Sequence, residues 1–264
     1  EKRLVPIKCT FNTIRPLLHM RMDILQNDGP LKVFPHQLSF LKLARKANEW
    51  KAFEQFYDLH FKEQSCCGSL MNRYQQLQIK YEYLHLLKKK GSISEALEYL
   101  DNCVSGQPKN NNERDIFSKF YFKKAKWIAR LNNEDVIGQM SRVIDLCNMS
   151  LEMRPHHYSV KNLWSWANMH LFTHCSNENN FLFSLSSDSV DKNKENGQIN
   201  TQIQAQAAID AITGFASCLK LDFKDTFFDL LQMTSILFRS TNIPGVFDAS
   251  IEAVKSVQLK RFIK

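Results

Sequence analysis

YEYLHLLKKKGSISEALEYLDNCVSGQP, Tyr81–Pro108, spells a helix, a tight turn and a second helix. Tyr83, Leu84 and Leu87 share one face of the first arm, and Lys88, Lys89 and Lys90 put positive charge at the negative end of its dipole. Gly91 comes after that lysine-rich turn and can take the left-handed conformation that closes a helix at little steric cost. Ser92 or Ser94 is placed to cap the second helix, with Glu95 in its first turn. Ile93, Ala96, Leu97, Leu100 and Val104 then form the apolar side of that second arm.

Gly91, Ala96, Leu100, Cys103 and Pro108 also sit at offsets that resemble the second half of a tetratricopeptide repeat, where small residues let paired helices approach and proline ends the unit. An ordinary helical hairpin without repeat ancestry fits the same residues. Outward from this hairpin the pattern continues. Phe11, Ile14, Leu17, Leu18, Met22 and Leu25 form a helical stripe interrupted by Pro16, broken by Asn27–Pro30. Leu38, Leu41 and Ala44 predict one helix, and Trp50, Phe53, Phe56, Tyr57 and Leu59 a second, meeting near Asn48. The CCGS string at 66–69 reads as a turn.

Beyond the polar connector Gln107–Glu113, the spacing of Ile116, Phe117, Phe120, Tyr121, Ala125, Trp127, Ile128 and Leu131 predicts a further helix. Asn133 or Asp135 is placed to cap another over Val136–Met153. From His157 to Cys175, Val160, Leu163, Trp164, Ala167, Leu171 and Phe172 give a broad apolar side, with Trp166 partly off it. Residues 176–204, rich in Asn, Ser, Asp and Lys, read as a flexible polar loop. A helix over Ala205–Leu221 comes after it, whose Ala207, Ala208, Ala211 and Gly214 permit a close crossing. Helices over Phe223–Phe238 and Val246–Val257 come next, and a last one from Leu259. The expected organisation is therefore a helical-repeat segment over 1–175, the loop at 176–204 and closing helices over 205–264. The fold class is all-α, an α-solenoid of antiparallel helix pairs.

Composition agrees. Only 8 glycines and 7 prolines punctuate 264 residues, too few for a chain of sheets and turns. The seven cysteines are odd in number and lack any C-x-x-C pair, which is reduced, intracellular usage, so a cytoplasmic location is expected, with membrane or nuclear association through partners. No apolar run approaches the ~20 residues of a membrane helix, so no transmembrane segment is expected. The chain opens at Glu1 and stops at Lys264 within an amphipathic segment, and the expectation is that it is part of a longer protein. The formal charge of +8 is spread over short groups such as Lys88–Lys90, and Lys123, Lys124, Lys126 and Arg130. These read as solvated faces rather than a nucleic-acid stripe, so no nucleic-acid partner is expected; whether they hold a polyphosphate stays open.

Three strings carry a family resemblance. Leu4-Val5-Pro6, followed by a helix with arginine and methionine and then by LKLARKANEWKAF at 41–53, is the first. Trp164-Ser165-Trp166-Ala167-Asn168-Met169 is the second. Asp229, Phe238, Pro244, Val246, Ala249, Glu252, Val254, Lys255 and Gln258 make the third. Together they resemble the FAT region of the phosphatidylinositol-3-kinase-related protein kinases, most nearly that of the target-of-rapamycin (TOR) kinases. The chain departs from that pattern at Leu237, where the family usually has tryptophan, and at Thr241, where it has glycine.

The resemblance implies a non-catalytic scaffold that clamps its own kinase domain in cis and binds regulatory subunits of a kinase complex. ATP and magnesium are expected in that kinase domain and no cofactor in this segment. Trp164, Trp166 and Asn168 are the expected packing node, and Phe238, Pro244, Glu252 and Lys255 the expected join toward the kinase. The alternative is a free-standing adaptor that binds peptides or acidic ligands.

No chemistry of its own is legible in the chain. The isolated glycines form neither a G-x-G-x-x-G nor a Walker loop, and Asp222-Phe223 is followed by Lys224 rather than glycine. His170 and His174 lie one turn apart beside Cys175, but the acid of H-E-x-x-H is missing, so helix-end histidines are the simpler reading. No catalytic or metal-ligating residue is expected.

Overall fold

In a computed structural model the protein is described at residues 11–26, 29–62, 71–131, 134–185, 193–221, 227–240, 243 and 245–256. Every regular element among them is helical: α1 (Phe11–Gln26), α2 (Pro30–Lys46), α3 (Trp50–Tyr57), α4 (Arg73–Lys89), α5 (Ile93–Cys103), α6 (Asn111–Ile128), α7 (Val136–Met153), α8 (Tyr158–Leu185), α9 (Asn193–Leu221), α10 (Phe227–Arg239) and α11 (Val246–Ser256). Helices pack chiefly on their neighbours in sequence, α1 on α2 and α4 on α5, then α7 on α8 and α8 on α9. This is the packing of an all-α solenoid. The chain divides into two compact units, Glu1–Ile116 and Phe117–Lys264.

In the first unit the turns do what their residues dictate. Asn48 has φ 61, and the Glu49 amide reaches back to the Ala44 carbonyl at 2.9 Å, closing α2 through a left-handed residue. Asn72 opens α4 with a capping box: its Oδ1 accepts from the Gln75 amide at 2.8 Å, while Gln75 Oε1 accepts from the Asn72 amide at 3.1 Å. Gly91 has φ 84 between α4 and α5, the geometry a side chain would resist. Ser92 occupies the N-cap position of α5 without donating or accepting a cap bond, so the expected serine cap is not made. The connector before α6 is itself a cap, because Asn110 Oδ1 accepts from the Glu113 amide at 2.9 Å and Glu113 reaches back to the Lys109 amide at 2.9 Å.

The core of this unit is aromatic. Phe40 stacks on Phe56 with centroids 4.1 Å apart, Phe11 meets Phe40 edge-on at 5.6 Å, and Tyr57 stacks on Tyr83 at 4.3 Å. Three expected core residues face outward instead: Leu17, Leu59 and Ile93 are exposed. Leu59 lies in a π-helical turn, Asp58–Lys62, which extends α3 with a wider winding and rotates that side chain off the buried stripe.

In the second unit α8 and α9 form the most extensive contact. Ala207, Ala208 and Ala211 are buried at this crossing. A Cβ added at Gly214 would lie 2.0 Å from Ser165 Oγ and 2.9 Å from the Trp164 ring, so only glycine fits as the helices stand. Asp135 caps α7, with its Oδ1 accepting from the Gly138 amide at 2.8 Å.

The polar stretch 176–204 departs from the expected loop. α8 remains helical to Leu185 and α9 opens at Asn193, so most of the stretch is helix and only 186–192 lies outside the described residues. Low complexity concealed helix-compatible content: beside its Asn and Ser, the stretch carries Leu, Lys, Glu and Gln, which lose little rotamer freedom in a helix. The turn at 66–69, Pro244, Thr241 and the helix from Leu259 also fall outside the described residues.

Candidate functional site

Two groups of the expected residues lie in the second unit. Trp164 and Asn168 are adjacent turns of α8: Asn168 is buried and its Nδ2 donates to the Trp164 carbonyl at 2.9 Å. The Trp164 ring covers Gly214 of α9, and its buried Nε1 has no hydrogen-bond partner among the described residues, so packing alone holds it. Trp166 packs against the same core cluster as Trp164, stands half-buried against the His170 ring at 4.1 Å, and lines a groove.

That groove, of about 450 Å³, lies between α6, α8 and α10 and is bounded by Phe122, Lys126, Arg130, Tyr158, Asn162 and Trp166 among others. Its one acid, Asp229, is only 4% exposed. Tyr158 Oη donates to Asp229 Oδ2 at 2.9 Å and Asn162 Nδ2 donates to Oδ1 at 2.5 Å, so both carboxylate oxygens are used inside the protein. Lys126 lies with Nζ 6.0 Å from the Phe122 ring centroid.

A second groove, of about 560 Å³, is lined by Leu237, Phe238, Val246, Phe247, Ile251 and Lys255 with a few small polar residues. It brings together two of the residues expected at the join. Phe238 is 84% exposed and Phe247 68%, while Glu252 Oε1 pairs with Lys255 Nζ at 3.0 Å on the surface. Pro244 is outside the described residues.

The buried thiols of Cys147 and Cys218 are poor nucleophiles. Burial pushes Cys147 up to about 12, and burial with the nearby Asp229 charge does the same to Cys218. Among the described residues no three of His, Cys, Asp and Glu converge on a point that could hold a metal ion. No described helix is long and apolar enough to cross a membrane.

Sequence reasoning missed the groove beneath Lys126 and Arg130, having placed both in a solvated basic face. Two signals were present. Trp166 stood off its helix stripe, and Phe122, Lys126 and Arg130 recur at i, i+4 and i+8 on one face of α6 and its end.

A family profile described as the FAT domain matches residues 2–235. The matched range takes in Trp164, Trp166, Asn168 and Asp229, and stops short of Phe238, Glu252 and Lys255. No curated protein matched the chain.

Proposed function

This chain belongs to the FAT domain family, which makes it a helical scaffold segment of the phosphatidylinositol-3-kinase-related kinases, and on that premise we propose that it braces the catalytic domain of a TOR-like serine/threonine protein kinase. In this reading the phosphotransfer chemistry, with its ATP and magnesium, belongs to the kinase domain of the same protein, and the FAT helices restrict that domain and seat regulatory subunits in the cytoplasm. The observation that carries it is the groove of α10 and α11. Exposed Phe238 and Phe247 flank an apolar cleft, and contiguous apolar surface of this kind is ordinarily covered by protein. Phe238, Glu252 and Lys255 are proposed as the join, with Trp164 and Asn168 as the packing node that keeps α8 and α9 rigid behind it.

The test begins with the reading frame that encodes the chain. It should continue into a lobe with a phosphate-binding lysine and metal-binding Asp and Asn. In that full-length protein, F238E with F247E should change kinase activity by on the order of tenfold, the scale of a lost interface anchor, with the melting temperature of the helical region unchanged. A reading frame without such a lobe would favour a free-standing adaptor, and unaltered activity in the double variant would remove the clamp.

A further inference from the structure

We propose that the groove between α6, α8 and α10 docks an acidic peptide segment of a partner protein, one that inserts a large apolar side chain between flanking carboxylates. The proposal does not depend on the kinase reading. Its first support is a pair of cations that make no ion pair. Elsewhere in the chain several cations are matched: Arg45 with Glu82 at 2.7 Å, Arg73 with Glu113 at 3.4 Å, Lys62 with Asp58 at 3.4 Å, and Lys90 with Glu54. Lys126 and Arg130, one helical turn apart on the rim of this groove, have no carboxylate partner among the described residues. Asp229 lines the same groove, but its carboxylate is held by Tyr158 and Asn162 and makes no ion pair with either cation. Its role is to fix those two polar side chains along the wall.

The second support is the apolar part of the same lining. Phe122, Ala129, Leu163 and Trp166 share the groove with the two cations, within a space of about 450 Å³ that suits one large side chain. Lys126 stands on α6 and Arg130 just past its end, two cations on one rim that can each take a separate carboxylate. The aromatic ring is also a poor platform for a nucleobase, because His170 already lies against Trp166 at 4.1 Å. An acidic segment with an apolar anchor satisfies both halves of the lining.

The experiment selects binders from a displayed library of random peptides on the full chain, and then on the K126E/R130E variant. The expected result is enrichment of sequences with Asp or Glu on both sides of a Phe, Leu or Trp. A synthetic peptide of that pattern should bind about tenfold more weakly after each charge reversal, more weakly in high salt, and undiminished to K126R. R130E alone guards against misfolding, since Arg130 is exposed, and thermal melting checks each variant. Binding equally tight to the reversed variant would overturn the proposal, as would a library that yields no acidic preference. Displacement of the peptide by a generic oligonucleotide, lost on the same charge reversal, would also overturn it in favour of nucleic acid.

Discussion

The two units build helix pairs from opposite materials. In the first, rings set the spacing: Phe11, Phe40, Phe53 and Phe56 fill the space between α1, α2 and α3, with Tyr57 and Tyr83 stacked beside them. In the second, the absence of side chains sets it, with Ala207, Ala208, Ala211 and Gly214 letting α9 lie close on α8. Their buried polar groups differ in the same sense. The first unit buries the acid Glu82 against the cation Arg45 at 2.7 Å, whereas the second buries the acid Asp229 against the neutral donors Tyr158 and Asn162. Helix separation follows the volume between the axes, so one hairpin pattern tolerates either solution. The two should therefore fail in opposite ways, one by losing volume and the other by gaining it.

The largest effect is expected from removing a ring. Phe40 is 1% exposed and contacts Phe11 and Phe56, so Phe40→Ala should cost about 3–5 kcal/mol, read by urea denaturation and by hydrogen exchange in α2 and α3. A cost below about 1 kcal/mol would mean that the ring stack is not what holds this unit. The smaller and more discriminating change is Gly214→Ala. In a roomy helix this substitution stabilises by about 0.5–1 kcal/mol. Here the new Cβ meets Ser165 Oγ and Trp164, and the expected outcome is a loss of about 1–3 kcal/mol. A higher melting temperature in that variant would show that α8 and α9 have slack at the crossing.

The contrast also marks where the sequence was legible. Periodicity located the helices, and Val136–Met153 agrees to the residue, with Asp135, one of the two candidate caps, accepting the cap bond. Small residues at period 3 to 4 announced a close crossing of α9 in the sequence itself, though not that α8 would be its partner. Glu82 could not be foreseen, because a lone acid inside an apolar stripe looks like solvent surface until Arg45 from another helix arrives beside it. Leu59 was misplaced because a π turn shifts helical phase, and periodicity assumes that phase is constant. The expected residues fall on several surfaces: Asn168 bonds the Trp164 carbonyl, Trp166 lines the groove of α6, α8 and α10, and Phe238 and Lys255 line that of α10 and α11. Side-chain direction across three helices is a tertiary fact, which no single stripe encodes.

The smallest effect is a dependence on pH. His60, in the π turn, lies against Phe56 at 4.2 Å, and its pKa is lowered from 6.5, first by burial and then by the nearby His19. His19 also rests on the same ring cluster, 5.2 Å from Phe40. The folded first unit therefore resists a proton that the unfolded chain accepts near 6.5. Stability is complete above that value and declines as pH falls through it, levelling off once the folded imidazole itself protonates. The urea midpoint of the first unit should drop between neutral pH and pH about 5, and His60→Gln should flatten that slope. A slope that survives in His60→Gln would move the titration to another group, and would leave the ring cluster without a pH sensitivity of its own.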